Sequence, residues 1–510
     1  MALSCIYSRA RIGLESPLVT IEIHLSAGLP GFHIVGLAET SVKESKSRVR
    51  SAIINCGFEF PARKIIVNLA PADLPKEGGH FDLPIAIGIL AASEQIPSQE
   101  LLNYEFAGEL ALSGELRAII GEIPLAIASR NSQRILVLPE SNARQACRVN
   151  GANILALRHL NELFPHFARQ QPLPLMQYQP LQQEHVAADI NSNDIKDVMG
   201  QPLAKRALEL AASGAHNLLF IGPPGTGKTM LASRLPGILP PMTTEESLET
   251  AAIHSICSHN TDNAYWLKRP FRAPHHTASA AALVGGGSQP VPGEISLAHN
   301  GVLFLDELPE YNRKVLDVLR EPMESGEVTI SRALHKMTYP AKFQLVAAMN
   351  PSPTGFYSDK RSTPEQVLRY LNKLSGPFLD RIDIQLEVCR LPKGLWNNTQ
   401  NNNESSKTIS QRVHNCRQIQ LNRQGKANAY LTSPELKQHC YLSDEDCEFL
   451  ELAVEKLGLS TRAHHKLLKI ARTIADLKQQ KDIGKEHLTE ALSYRAMDRL
   501  IRHLTESVSG

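Results

Sequence analysis

The sequence predicts an α/β protein: a central domain built on a parallel sheet that carries a phosphate-binding loop, with an α+β domain before it and a small helical domain after it. Three observations point there. Short β-rich runs alternate with helical patterns through the middle of the chain, a complete G-x-x-x-x-G-K-[ST] stretch joins one such run to a helix, and beyond Thr432 only helical periodicity survives.

The first block has strand-like runs at Val19–Leu25, Ile65–Leu69 and Ile135–Leu138 and helical stretches at Val42–Cys56 and Leu83–Ala92, and is expected to end at residue 168. Residues 169–192 read as a linker, because from Arg169 to Glu184 the chain turns to Gln and Pro with little apolar period. The central domain, residues 193–395, has strands expected at Asn217–Ile221, Gly301–Leu305 and Gln344–Ala348, and helices at Ala204–Ser213 and Lys314–Met323. Asparagine dominates between Asn397 and Ser406, so residues 396–410 are expected to form a surface loop. In the last domain, residues 411–510, Ala463, Leu467, Ile470, Ala471, Ile474 and Leu477 share one face of a helix that Ser460 can cap.

Composition narrows the function classes. A chain of 510 residues has room for several cores, and 54 Lys+Arg against 52 Asp+Glu neither announces a polyanion partner nor excludes one, so any nucleic-acid surface must be local. The longest apolar run, Leu83–Ala92, contains Pro84 and Gly88 and falls well short of the ~20 residues that cross a bilayer. No membrane partner is expected. Eight scattered cysteines without a Cys-x-x-Cys pair, and an N-terminus without the charge order of a secretory signal, fit a reducing, cytoplasmic setting.

The chemistry centres on Gly222-Pro223-Pro224-Gly225-Thr226-Gly227-Lys228-Thr229, which follows a strand and opens a helix. Glycines let backbone N–H groups close around phosphate oxygens, Lys228 adds point charge, and the Thr229 hydroxyl can ligate Mg²⁺, so ATP with Mg²⁺ is the expected ligand pair. A second apolar strand ends in Asp306-Glu307, at the strand edge where open α/β sheets bind ligands; Asp306 suits the Mg²⁺ shell and Glu307 suits activation of water. A third delivers Asn350, which can orient water or a γ-phosphate or simply cap a turn before Pro351. Arg381 and Arg462 lie far along the chain and are either arginine fingers or surface ion pairs. Two basic stretches, Lys407 to Lys426 and Arg462 to Arg472, are solvated faces or DNA-handling surfaces.

The phosphate loop, Arg269-Pro-Phe-Arg-Ala-Pro-His-His276, the run Gly293 to Leu308 and Leu379-Asp-Arg-Ile-Asp383 together resemble the magnesium-chelatase-like AAA+ proteins of the YifB/ComM type, over essentially the whole chain. The resemblance implies a homohexameric AAA+ ATPase that moves on single-stranded and branched DNA. It further implies a branch-migration helicase acting, with recombination proteins, in integration of transforming DNA. By the same resemblance Asn350 is the sensor-1 residue, Arg381 the finger reaching a neighbour's ATP, Arg462 the sensor-2 arginine of a helical lid, and Val198-Met199-Gly200-Gln201 the adenine pocket. Two pore-facing segments then map to about Phe271–Gly293 and to Val328–Tyr339, whose turn offers Arg332, His335 and Lys336 for sequence-independent phosphate contacts.

Some family members carry a cysteine cluster after sensor 1; here Ser352 and Thr354 stand in that loop, so no zinc is expected. His275-His276 has no Cys or acidic partner at ligand spacing in the sequence, and metal is not expected there either. The first block resembles the Lon-protease fold at Pro75–Asp82 and Gly108–Gly114. The position of the protease serine reads His80, and Gly121–Ala128 has no lysine, so a catalytically inactive Lon-like domain is expected. Competing expectations are the ATPase subunit of a metal-chelatase-like complex, an ATP-dependent Lon-like protease and a nucleotide-switched scaffold; the chain lacks the Asp-x-Ser-x-Ser metal-dependent motif of a chelatase partner module.

Overall fold

Alternation of apolar and polar residues sets the first sheet. In Leu18–Ser26 every second residue, Val19, Ile21, Ile23 and Leu25, is buried, and Lys64–Ala70 repeats the pattern with Ile65, Val67 and Leu69. The computed structural model describes residues 2–178, 180, 193–257, 266–287, 291–331, 336–356, 362–391 and 403–509, which form two units. The first unit holds Met1–Gln182 with Thr244–Trp266 and Ser331–Tyr339; the second holds Gln183–Thr243, Leu267–Ile330 and Pro340–Gly510.

In the first unit a mixed seven-stranded sheet runs in the order Gly31–Val35, Lys64–Ala70, Leu18–Ser26, Ala2–Arg9, Tyr104–Phe106, Ile135–Pro139 and Asn153–Leu157. Helix Asp82–Ala92 packs on it and is apolar nearly all round, which is why every one of its residues is buried. Gly88 faces Ile23 so closely that a Cβ would stand 2.3 Å from its Cδ1. Helix Thr244–Ser255 and Trp266 were expected in the central domain, yet Ala251, Ala252 and Trp266 pack with Ile123, Leu125 and Ala146, and the indole donates to Gln145 Oε1 at 2.7 Å. The expected linker is partly ordered too, since Met176 N donates to Ile154 O at 2.8 Å beside a bridge between Leu155 and Leu175.

The second unit is built on a parallel five-stranded sheet in the order Phe271–Arg272, Val302–Leu305, Gln344–Met349, Leu218–Ile221 and Ile384–Glu387. Its central strands are buried along their whole length, as continuous apolar runs in a covered parallel sheet require. Helix Pro202–Gly214, with Pro202 in its first turn where a missing N–H costs nothing, packs against the sheet. The expected helix Lys314–Met323 is two, Arg313–Val318 and Pro322–Ser325, because Pro322 cannot continue the first and starts the second. The helix Ser406–Gln424 begins inside the stretch read as an asparagine-rich loop, with the Ser405 hydroxyl accepting from Thr408 N. Five further α-helices follow, and Thr461–Leu477 is capped by Ser460 as expected. One apolar core runs without a break from Leu208 and Phe220 through Ile384 to Leu467, Ile474 and Tyr494, so the terminal helices share the core of the sheet. Among the described residues no helix is long and apolar enough to cross a membrane.

Candidate functional site

Five of the expected residues, Lys228, Thr229, Asp306, Glu307 and Asn350, meet at the C-terminal ends of three adjacent strands. The loop after Leu218–Ile221 turns through Gly225 and Gly227, at φ 77° and 83°, into helix Lys228–Arg234. Gly222 is required for another reason: a Cβ there would lie 2.3 Å from the carbonyl oxygen of Val388. Lys228 Nζ donates to Gly222 O at 2.7 Å, Pro223 O at 3.0 Å and Asn350 Oδ1 at 3.1 Å. Burial lowers the pKa of this ammonium, and the carboxylates of Asp306 and Glu307 work against that shift.

Strand Val302–Leu305 carries Asp306 to the neighbouring edge, where the Thr229 hydroxyl donates to its Oδ2 at 2.6 Å. A hydroxyl and a carboxylate oxygen at that separation are the hard donors Mg²⁺ takes, with water and phosphate for the rest of its shell, so the residues fit the ion. Glu307 sits in the left-handed region at φ 51° and its N–H donates to Asp306 Oδ1 at 2.9 Å. This backbone turns its carboxylate toward the segment after Phe271–Arg272, where His276 Nδ1 lies 3.1 Å from Oε2. Sequence spacing could not show this partner for His276, because a parallel-sheet crossover separates the two. Tyr311 donates to Pro274 O at 2.6 Å and holds the same segment.

A cleft of about 510 Å³ adjoins the loop, lined by Val198, Met199, Gln201, Pro224, Gly225, Thr226, Gly227, Met230, Arg390 and Leu391. Gln201, itself left-handed at φ 55°, donates to Cys389 O at 2.7 Å. Arg390 and Leu391 escaped the sequence reading because they follow the last strand with no motif of their own; the Arg390 guanidinium lies 4.6 Å from the centre of the Phe356 ring.

Arg381 and Arg462 are not part of this cluster. Strand Ile384–Glu387 runs parallel to Leu218–Ile221 with Ile384 opposite Leu218, so residues 380–383 stand at the start of the sheet while the phosphate loop leaves its other end. Arg381, only 16% exposed, donates from Nη2 to Glu324 at 2.6 Å, from Nε to Arg320 O at 3.2 Å and from Nη1 to Pro377 O at 2.5 Å. Arg462, 67% exposed, has Nη1 3.8 Å from Asp380 Oδ2. The two arginines therefore share one end of the sheet, the end away from their own phosphate loop.

Of the expected DNA contacts, Arg332 and His335 lie outside the described residues, and Lys336 is exposed at the start of strand Lys336–Pro340. The other mapped segment forms helix Ala280–Val284 and a ribbon pairing Gly285–Gly286 with Val291–Pro292. The two basic stretches are largely committed inside the second unit. Arg412 pairs with Glu209 and Glu404, Arg423 with Asp476 and Lys426 with Glu435, while Arg417 and Lys469 donate to backbone carbonyls. In the loop after Asn350, Ser352 Oγ bonds Thr354 Oγ1 at 3.1 Å and Phe356 O at 2.9 Å, a hydroxyl network where other family members are expected to hold thiolates.

Three family models match the chain: "Magnesium chelatase, subunit ChlI" at residues 194–395, "Subunit ChlI of Mg-chelatase" at 21–142 and "Magnesium chelatase, subunit ChlI C-terminal" at 403–495. Among curated proteins, the chain is 55% identical over 507 residues to the competence protein ComM of Haemophilus influenzae, covering 99% of this chain and 100% of that one. It is 54% identical to YifB of Escherichia coli, covering 99% of each. Identity to Mb2921c of Mycobacterium bovis is 38%, over 97% of this chain and 99% of that one.

Proposed function

We propose, from the premise that the chain belongs to the magnesium-chelatase-like AAA+ ATPase family that includes ComM and YifB, that it is an ATP-driven motor acting on DNA as a homohexameric ring. The observation that carries the reading is the division of the site. Lys228, Thr229, Asp306, Glu307 and Asn350 gather at one end of the sheet, and Arg381 with Arg462 stand at the other. A site so divided is completed when the arginine end of one subunit meets the phosphate loop of the next, which closes into a ring.

In this reading the backbone N–H groups of Gly225, Thr226 and Gly227 face the phosphates and Lys228 exchanges its carbonyl acceptors for phosphate oxygens. Thr229 and Asp306 would hold Mg²⁺, which when bound would supply Lewis-acid charge to the phosphates. Glu307 takes the proton of the attacking water, Asn350 orients the γ-phosphate, and the arginines of the adjoining subunit offset the charge that develops there. Val198, Met199 and Gln201 receive the base.

The DNA side of the reading draws on the relative named as a competence protein, and on the exposed Lys336 as a phosphate contact. The work done is branch migration of recombination intermediates during integration of transforming DNA, in the cytoplasm, beside recombination proteins. The first unit is a Lon-like module without peptidase chemistry. Its His80 is buried, donates from Nε2 to Arg9 O at 3.0 Å and is pushed by burial, with the charge of Arg11 adding, to a pKa of about 3. The ATPase subunit of a chelatase-like complex is the second reading, favoured by the names of the matched models. A labelled four-strand junction incubated with protein, ATP and Mg²⁺ tests the first: conversion to two duplexes that needs ATP hydrolysis supports it, and an intact junction at saturating protein contradicts it.

A further inference from the structure

Residues 380–383 are gripped from two sides. From the sheet, Asn217 accepts at its carbonyl from the N–H groups of Asp383 and Ile384, at 3.1 and 3.0 Å, and its side chain donates to Arg381 O at 3.0 Å. From the terminal helix Thr461–Leu477, Lys466 Nζ donates to Ile382 O at 3.0 Å and lies 3.5 Å from Asp383 Oδ1. Arg462 is one turn before Lys466 on that helix, so the two cations project on the same face, opposite Asp380 and Asp383. The outer pair is exposed; the inner pair is nearly sealed from water, and Asp383 Oδ2 there meets Asn217 N at 3.1 Å and His216 Nδ1 at 3.5 Å. His216 bonds Thr473 Oγ1 of the same helix at 2.8 Å, so the grip has a second attachment a few turns on.

A buried carboxylate is expected to lose its charge. Burial does press the Asp383 pKa upward, yet the ammonium of Lys466, the His216 ring and Lys469 outweigh it and hold the group well below the ordinary range. Burial likewise presses the Lys466 pKa down, with the carboxylates of Asp383 and Asp380 working against that shift, and a buried pair of this geometry fixes positions more than it adds stability.

We propose that Lys466 and Asp383 form a positioning pair that locks the finger segment to the terminal helix, so that Arg381 and Arg462 are presented as one rigid unit to the phosphate loop of the next subunit. Neither residue touches ATP. Both act through the arginines on either side of them, Arg381 two residues before Asp383 and Arg462 four before Lys466. The inference rests on the divided-site reading and names the element that makes the division work.

The test compares wild type, Lys466→Met, Lys466→Arg and the double variant Asp383→Asn/Lys466→Met, which removes both charges and so leaves no lone buried ion. Each is assayed for affinity toward a fluorescent ATP analogue, for phosphate release, and for phosphate release after mixing with Lys228→Ala. The last variant has a dead loop but intact arginines. The expected result is unchanged analogue affinity, turnover lowered at least tenfold in Lys466→Met and the double variant, near-normal turnover in Lys466→Arg, and recovery when either slow variant is mixed with Lys228→Ala. Wild-type turnover in the double variant overturns the proposal. So does a slow variant that mixing fails to rescue, or one that loses analogue affinity in step with turnover, since either marks a structural role. A wild-type chain without ATP turnover would instead sink the divided-site reading itself.

Discussion

The Thr229 hydroxyl donates a 2.6 Å hydrogen bond to Asp306 Oδ2, joining the end of the phosphate loop to the end of the neighbouring strand but one across 77 residues of sequence. In the proposed reading the contact brings together the two side chains that would hold Mg²⁺. Thr229→Ala or Asp306→Asn should each lower ATP turnover by roughly 100-fold, the size of losing one preorganised electrostatic contact. Phosphate release titrated with Mg²⁺ checks this: the lost activity should return only in part at high Mg²⁺ for Thr229→Ala, and not at all for Asp306→Asn.

Glu307 is held by His276 at 3.1 Å and by its own left-handed backbone. Glu307→Gln keeps the shape and the phosphate loop, so it should bind ATP normally and lose turnover by roughly two orders of magnitude or more, as removal of a general base does. His276→Ala frees the carboxylate from a competing partner, and turnover without DNA should rise a few-fold. Equal rates for wild type and His276→Ala would show that the contact does not restrain the base.

Arg381→Ala and Arg462→Ala should leave ATP affinity near wild type while turnover collapses, because neither guanidinium approaches its own phosphate loop. Mixing either with Lys228→Ala should restore part of the rate. Calorimetric binding with single-turnover kinetics separates the two effects; a large loss of affinity in the isolated variants would mean that the arginines act within one chain.

The first unit should show a pH dependence of its own. Glu122 is buried at the start of helix Glu122–Asn131, and burial raises its pKa from 4.5 to about 7 against the pull of its backbone and Asn142 hydrogen bonds. A folded-state value above the unfolded one means that the folded chain holds the proton more tightly, so stability falls as pH rises from the unfolded value to about 7, then levels. The penalty above that window is on the order of 3 kcal/mol. Glu122→Gln removes it, and denaturant unfolding should find the variant more stable than wild type at pH 8 and close to it at pH 4. A gain independent of pH would show that Glu122 does not titrate in this range.

Much of the second unit was legible because its signals are local. The phosphate loop needs fixed spacing, the buried parallel strands need unbroken apolar runs, and Ser460 caps where a serine before an amphipathic run should. What stayed hidden depends on distance in sequence. No pattern announces that Trp266 bonds Gln145, that His276 meets Glu307, or that Lys466 reaches Asp383; each contact is made by the fold. The same holds for the basic stretches, whose charges read as free on a helix wheel and are spent on Glu209, Asp476 and Glu435. Pro322 is the exception, a local signal that the apolar period around it masked.

In the proposed reading ATP hydrolysis is harnessed to DNA. The most direct test is phosphate release at fixed salt with no DNA, single strand, duplex and a four-strand junction, with Glu307→Gln as the blank and Lys336→Ala to report on the DNA contact. The account predicts severalfold stimulation by single-stranded and branched DNA, abolished in Glu307→Gln and reduced in Lys336→Ala. A rate indifferent to every DNA form, in a chain that hydrolyses ATP, would contradict it and leave a chelatase-like ATPase as the reading to pursue.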